Sequence, residues 1–181
     1  MAKHVAFIRA INVAGHARVK MDAVKTAFAA AGCANVTTLI QSGNVLFDAP
    51  ERQRRRIEQS VRELLRRLVG EEATVLFRTV RQIDEIVQSR PFGDIDADPA
   101  IKLYVVFLAR SPSNGPSFPL RSEKEALAAT HMQGLEVFVV SRRKTSGFYG
   151  FPNNFIEQQL GVAATSRNWS TVSKIARLAD H

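Results

Sequence analysis

The chain has 181 residues, 45% hydrophobic and 23% charged, enough for one large domain or two small ones and too apolar for extended disorder. Lys and Arg total 25 against 17 for Asp and Glu, and the resulting net charge of +8 favours anionic partners. Cys33 is the only cysteine, which excludes an internal disulfide and a cysteine-cluster zinc site, and the longest apolar run, 103–109, is too short to cross a bilayer. The opening MAKHVAFIRA has no secretory pattern, so a cytoplasmic location is expected.

The run from His4 to Arg9 has the continuous apolar character of a buried strand, and Gly15 punctuates the loop that follows. Val24, Ala27, Phe28 and Ala31 recur at helical spacing over Met21 to Ala31, with Asp22 near the start and Gly32 at the capping position. Two short strands, Val36 to Ile40 and Val45 to Phe47, flank a Ser42-Gly43 turn signal. The basic run 51–67 then predicts an amphipathic helix. Its apolar stripe is Ile57, Val61, Leu64, Leu65 and Leu68, with Arg55, Arg62 and Arg66 turned to solvent. Gly70 stops that helix, and Ala73 to Thr79 reads as a strand.

The order is therefore βαββαβ, the ferredoxin-like arrangement. A helix from Val80 to Ser89 follows, and the Pro-, Gly- and acid-rich residues 90–100 mark a boundary. Beyond it come a strand at Ile101 to Leu108, a surface loop at Ser111 to Pro119, and a Ser122/Glu125 capping box opening a helix through about Thr130. A strand at Leu135 to Val140 precedes helices at Asn153 to Leu160 and Ser166 to Ala179. The expected class is α+β. Residues 1–90 form a ferredoxin-like subdomain, packed against a smaller C-terminal α+β region, 91–181, that covers its sheet.

A βαββαβ sheet has the strand order 4-1-3-2, so the loop leaving the first strand and the hairpin after the second emerge at one end. Connectivity thus gathers Arg9, Asn12, Lys20, Gln41, Ser42 and Asn44, groups suited to an anion or nucleotide. Each has a plainer reading. Ser42 and Asn44 are ordinary turn residues, Gly43 suits positive φ, and Arg9 has Asp48 as a possible partner. Asn12, between two apolar neighbours, needs partners if buried.

A second polar cluster, 165–171, opens the last helix. Thr165 or Ser166 would cap it, and Arg167 and Asn168 would add a cation and an amide donor beside its free N–H groups. Trp169 fills a core there or stacks on a base. Arg142-Arg143-Lys144, followed by Phe148 and Tyr149, is basic and then aromatic. It suits a phosphate backbone, although a polar loop is the commoner origin of such a run. The four histidines show no metal-ligand spacing, and no phosphate loop, dinucleotide fingerprint or hydrolase elbow occurs; neither metal nor cofactor is expected.

Several motifs together carry a family resemblance: 9–13 (RAINV), Lys20-Met21, 41–45 (QSGNV), 152–157 (PNNFIE), 160–162 (LGV) and 165–169 (TSRNW). Across nearly its whole length the chain resembles the family catalogued as domain of unknown function 1697, small bacterial proteins with an N-terminal ferredoxin-like region. Ala10 and Ala14 stand where that family usually has glycine. The resemblance implies the fold and leaves the reaction open.

Three functional readings follow. The first is a small anionic ligand held in a cleft formed by the strand 1 loop, the 41–44 hairpin and the start of the last helix, with Arg9, Asn12, Lys20, Gln41, Ser42, Asn44, Arg167 and Asn168 as binding residues. The second is a nucleic-acid-binding module, suggested by charge and topology. The third is an interaction protein whose polar clusters only join its halves. No membrane partner is expected.

Overall fold

A computed structural model describes residues 1–9, 19–39, 43–70 and 74–178, the side chains of 69, 96 and 97 excepted. The fold is mixed α+β, with two antiparallel sheets and five α-helices among the described residues. It divides into two compact units, Met1–Gln82 and Ile83–His181.

The first unit runs β1 (Ala2–Ile8), α1 (Met21–Ala30), β2 (Ala34–Leu39), β3 (Asn44–Ala49), α2 (Arg54–Val69) and β4 (Val75–Thr79). Its sheet has the order β2-β3-β1-β4 with every neighbour antiparallel. Strand periodicity puts Ala6 and Ile8 on one face with Val45, Phe47, Val75 and Phe77, where they pack on Val24 and Phe28 of α1 and on Ile57, Val61 and Leu65 of α2. Phe47 centres this core, 5.3 Å from the Phe28 ring and 6.2 Å, edge-on, from Phe77. On the opposite face Val5, Phe7, Leu46 and Leu76 are buried as well. A sheet apolar on both sides explains why β1 shows no hydrophobic alternation.

Helix α3 (Val80–Gln88) opens with a capping box that the sequence reading overlooks. The Thr79 N–H donates to Gln82 Oε1 at 2.8 Å, and the Gln82 N–H donates to Thr79 Oγ1 at 3.1 Å.

The second unit contains β5 (Ile101–Leu108), β6 (Leu120–Ser122), β7 (Leu127–Gln133), β8 (Glu136–Arg142), α4 (Pro152–Leu160), β9 (Ala164–Asn168) and α5 (Trp169–Ala176). The sheet order is β6-β7-β8-β5-β9. Tyr104, Val106 and Leu108 line one face together with Leu127, Val137 and Val139, and α4 closes it through Phe155, Ile156 and Leu160. Helix α5 packs on β5 and β9, burying Val172, Ile175 and Ala176.

Two expectations for this unit are corrected. The helix expected from Ser122 to Thr130 is a β-turn and strand. Ser122 Oγ does accept the Glu125 N–H, at 3.3 Å, the bond a capping box would make. Here that bond closes a reversal with Ala126 at φ +52°, and pairing with β8 overrides the alanine-rich helix propensity of 126–129. The last helix begins at Trp169, because Thr165 to Asn168 are held as a strand by β5. Thr165 and Ser166 therefore cap nothing, and the N-cap residue, Asn168, makes no side-chain capping bond.

In β1, His4 is 1% exposed and stacked on Phe47, with Nε2 3.9 Å from Glu51 Oε2. Burial, aided by the Arg54 charge, lowers its pKa below the ordinary 6.5, and Glu51, Asp48 and a bond to the Ala49 backbone only partly oppose this. The unfolded chain therefore takes up a proton near pH 6.5 that the folded chain still refuses. The stability from neutral His4 is complete above that pH and is lost as pH falls through the lowered folded value. Unfolding free energy from denaturant titrations should fall toward acid with a His4 component of up to about 1.4 kcal/mol per pH unit. His4→Phe, which keeps the stacking ring, should remove that component; an unchanged slope would refute the assignment.

Candidate functional site

In the first unit, connectivity and hydrogen bonding bring three chain segments to one end of the sheet. The Ile8 N–H donates to the Gly43 carbonyl at 2.7 Å, and the Arg9 N–H donates to the Thr74 carbonyl at 2.8 Å. Asn44 pairs across both neighbours, with Phe7 and with Leu39. Arg9, half-buried, and Asn44, fully buried, thus stand at the same end, and the exposed Lys20 begins the helix that returns from it. Asn12, Gln41 and Ser42 lie outside the described residues.

The Asn44 side chain is engaged in the fold: Nδ2 donates to the Leu39 carbonyl at 3.1 Å and locks the hairpin. Gly43 has φ +75°, and a Cβ on it would sit 2.5 Å from the Ile8 carbonyl oxygen. Glycine is therefore required twice over, by conformation and by contact.

The second unit holds an open groove of about 510 Å³ between β5 and α5. Three cations line it, Lys102 at the start of β5, Lys174 on α5 and Arg177 at the cap that ends it. Asn168, Ser170 and Ser173 add an amide and two hydroxyls, and Trp169 forms part of the wall. Lys174 and Arg177 take part in no ion pair with the described residues. The groove begins at the amino terminus of α5, where the helix dipole favours negative charge. Trp169 is half-buried, its ring edge-on to Phe92 at 5.1 Å, so it serves packing and groove together.

Of the two residues expected in this region, Asn168 lines the groove and Arg167 does not. Arg167 pairs with Val105, and its guanidinium donates to Thr165 Oγ1 at 2.9 Å and to the Ser166 carbonyl at 2.8 Å. Burial brings its pKa down to about 10, which leaves it charged at neutral pH. Ser170, Ser173, Lys174 and Arg177 were missed, although their i, i+3, i+4, i+7 spacing is a legible helical stripe. Lys102, inside an apolar run, gave no such signal. Among the described residues no group of three His, Cys, Asp or Glu could hold a metal ion, and no helix is long and apolar enough to cross a membrane.

The family described as "Protein of unknown function (DUF1697)" matches residues 1–138, and the chain belongs to it. A solved structure, that of conserved bacterial protein SP0830 from Streptococcus pneumoniae, is similar over 100% of this chain and 99% of its own, with a TM-score of 0.62 at 18% identity. At that identity the likeness is one of fold. No curated protein matches the chain.

Gly43→Ala should destabilise the first unit by about 1–3 kcal/mol, read as a lower denaturation midpoint. A midpoint equal to that of the parent would show that the hairpin does not need its close approach to Ile8.

Proposed function

We propose that this protein binds a small anionic ligand, a nucleotide, phosphate or carboxylate, in the groove at the start of α5. The carrying observation is the set of three cations, Lys102, Lys174 and Arg177, around a cavity that opens on a helix amino terminus. Its volume is in the range of small-molecule sites. Asn168 and Ser170 supply orienting polar groups beside the cations. Among the described residues no carboxylate, histidine or cysteine lines the groove, and the reading is one of binding.

Within the first unit, Arg9, Asn12, Lys20, Gln41 and Ser42 we propose as a separate anion-binding group, with Asn44 holding the hairpin that carries it. The strand order β4-β1-β3-β2 with antiparallel neighbours supports reading that unit as ferredoxin-like. Burial of both faces of β1 weighs against an RNA-recognition mode that stacks bases on an open sheet.

Trp169, the only tryptophan, makes the test direct. Titration with inorganic phosphate, nucleoside monophosphates and dicarboxylates should give a saturable change in its fluorescence with at least one of them. Lys174→Ala and Arg177→Ala should each weaken that ligand about tenfold. If none of the three classes alters Trp169 emission at low ionic strength, the proposal fails.

A further inference from the structure

Two buried polar atoms of the second unit have no hydrogen-bond partner among the described residues. Asn153, in the first turn of α4, is 6% exposed and its Oδ1 is unpaired; Ser166, in β9, is 5% exposed and its Oγ is unpaired. A buried polar atom without a partner is destabilising, and folded proteins keep few of them. Two in one layer call for a common partner.

Both side chains face that layer. Ser166 pairs with Val106, which lies in the core under α4, and directly paired strand residues project to the same side. Asn153 is on the stripe of α4 that buries Ile156 and Leu160 in the same core. The helix runs antiparallel to β9. At one end the Phe151 ring is edge-on to Tyr104 at 5.8 Å, and Tyr104 pairs with Asn168. Further along, Glu157 Oε1 accepts the Ala164 N–H at 2.9 Å. From Glu157 back to Asn153 is about 6 Å of helix, and from Ala164 to Ser166 is about 7 Å of strand. The amide therefore stands over the hydroxyl.

The surroundings select the ligand. An asparagine amide sets an acceptor beside a donor in one plane, the pattern that pairs bidentately with the edge of a nucleobase. A serine hydroxyl adds one bond of either sense. The neighbouring rings are aromatic: Tyr104 and Phe155 are buried, and Phe151, directly before Pro152, is 58% exposed. Such rings favour a flat guest. Asn153 and Ser166 carry no charge, and neither lines the cationic groove at α5.

We propose that Asn153 and Ser166 form a site for a nucleoside. The edge of its base pairs with the Asn153 amide and the Ser166 hydroxyl, and its ring lies against Phe151 and Tyr104. The site is independent of the anion groove and does not rest on that reading.

The test uses adenosine and uridine, uncharged probes, titrated by calorimetry with and without inorganic phosphate. At least one should bind saturably, with the same affinity in excess phosphate and in Lys174→Ala. Asn153→Leu, similar in shape, should weaken that nucleoside about tenfold or more, and Ser166→Ala should weaken it less. Stability supplies a second readout. Removing an unpaired buried amide strands no partner, so ligand-free Asn153→Leu should unfold at a midpoint equal to or above the parent's. Four results would overturn the inference: neither nucleoside binds, binding is indifferent to Asn153→Leu, Lys174→Ala abolishes it, or ligand-free Asn153→Leu unfolds at a lower midpoint. The third would move the nucleoside to the groove, and the fourth would assign the amide to the fold or to an internal water.

Discussion

The groove depends on the antiparallel ladder between β5 and β9. That ladder pairs Val105 with Arg167 and Tyr104 with Asn168, and it keeps 164–168 extended where a capping sequence would otherwise begin the helix early. Because the strand persists to Asn168, α5 starts at Trp169, directly beside the first residues of β5. Its apolar stripe, Val172, Ile175 and Ala176, then packs inward, which leaves Ser170, Ser173, Lys174 and Arg177 on the groove side. One strand pairing therefore sets the register of a helix, and the helix sets the positions of two of the three cations.

Where positive charge is most dense, part of it is paired. The basic stretch that becomes α2 ties Arg54 to both Glu51 and Glu58, Arg62 to Glu58, and Arg67 to Glu63. Arg62 also lies 4.8 Å from the centre of the Phe77 ring. Such exposed pairs contribute only about 0.3–0.5 kcal/mol each to the helix, and they offset part of its charge. The groove cations are fewer, yet Lys174 and Arg177 have no acid against them among the described residues.

The same contrast explains what could be read from the sequence. Apolar periodicity located α1, α2, α3, α4 and β5 to within a few residues, because burial of one stripe dictates each of them. The convergence of Arg9 and Asn44 followed from connectivity alone. Ser122 to Thr130 and Thr165 to Asn168 misled because capping chemistry is local and strand pairing is not: the Ser122–Glu125 bond forms in a turn as readily as in a helix. The polar stripe of α5 was visible but overlooked beside its apolar one. Lys102 became meaningful only once β5 and α5 were adjacent, a long-range fact that no residue near it encodes.

The central claim is that an anion sits at the junction of β5 and α5. Its most direct measurement is a titration with inorganic phosphate followed by backbone amide resonances. Saturable shifts are expected at Asn168, Trp169, Ser170 and Thr171 and at Lys102, residues that line or border the groove. Shifts absent at saturating phosphate, or scattered over α2 with none at the start of α5, would contradict it.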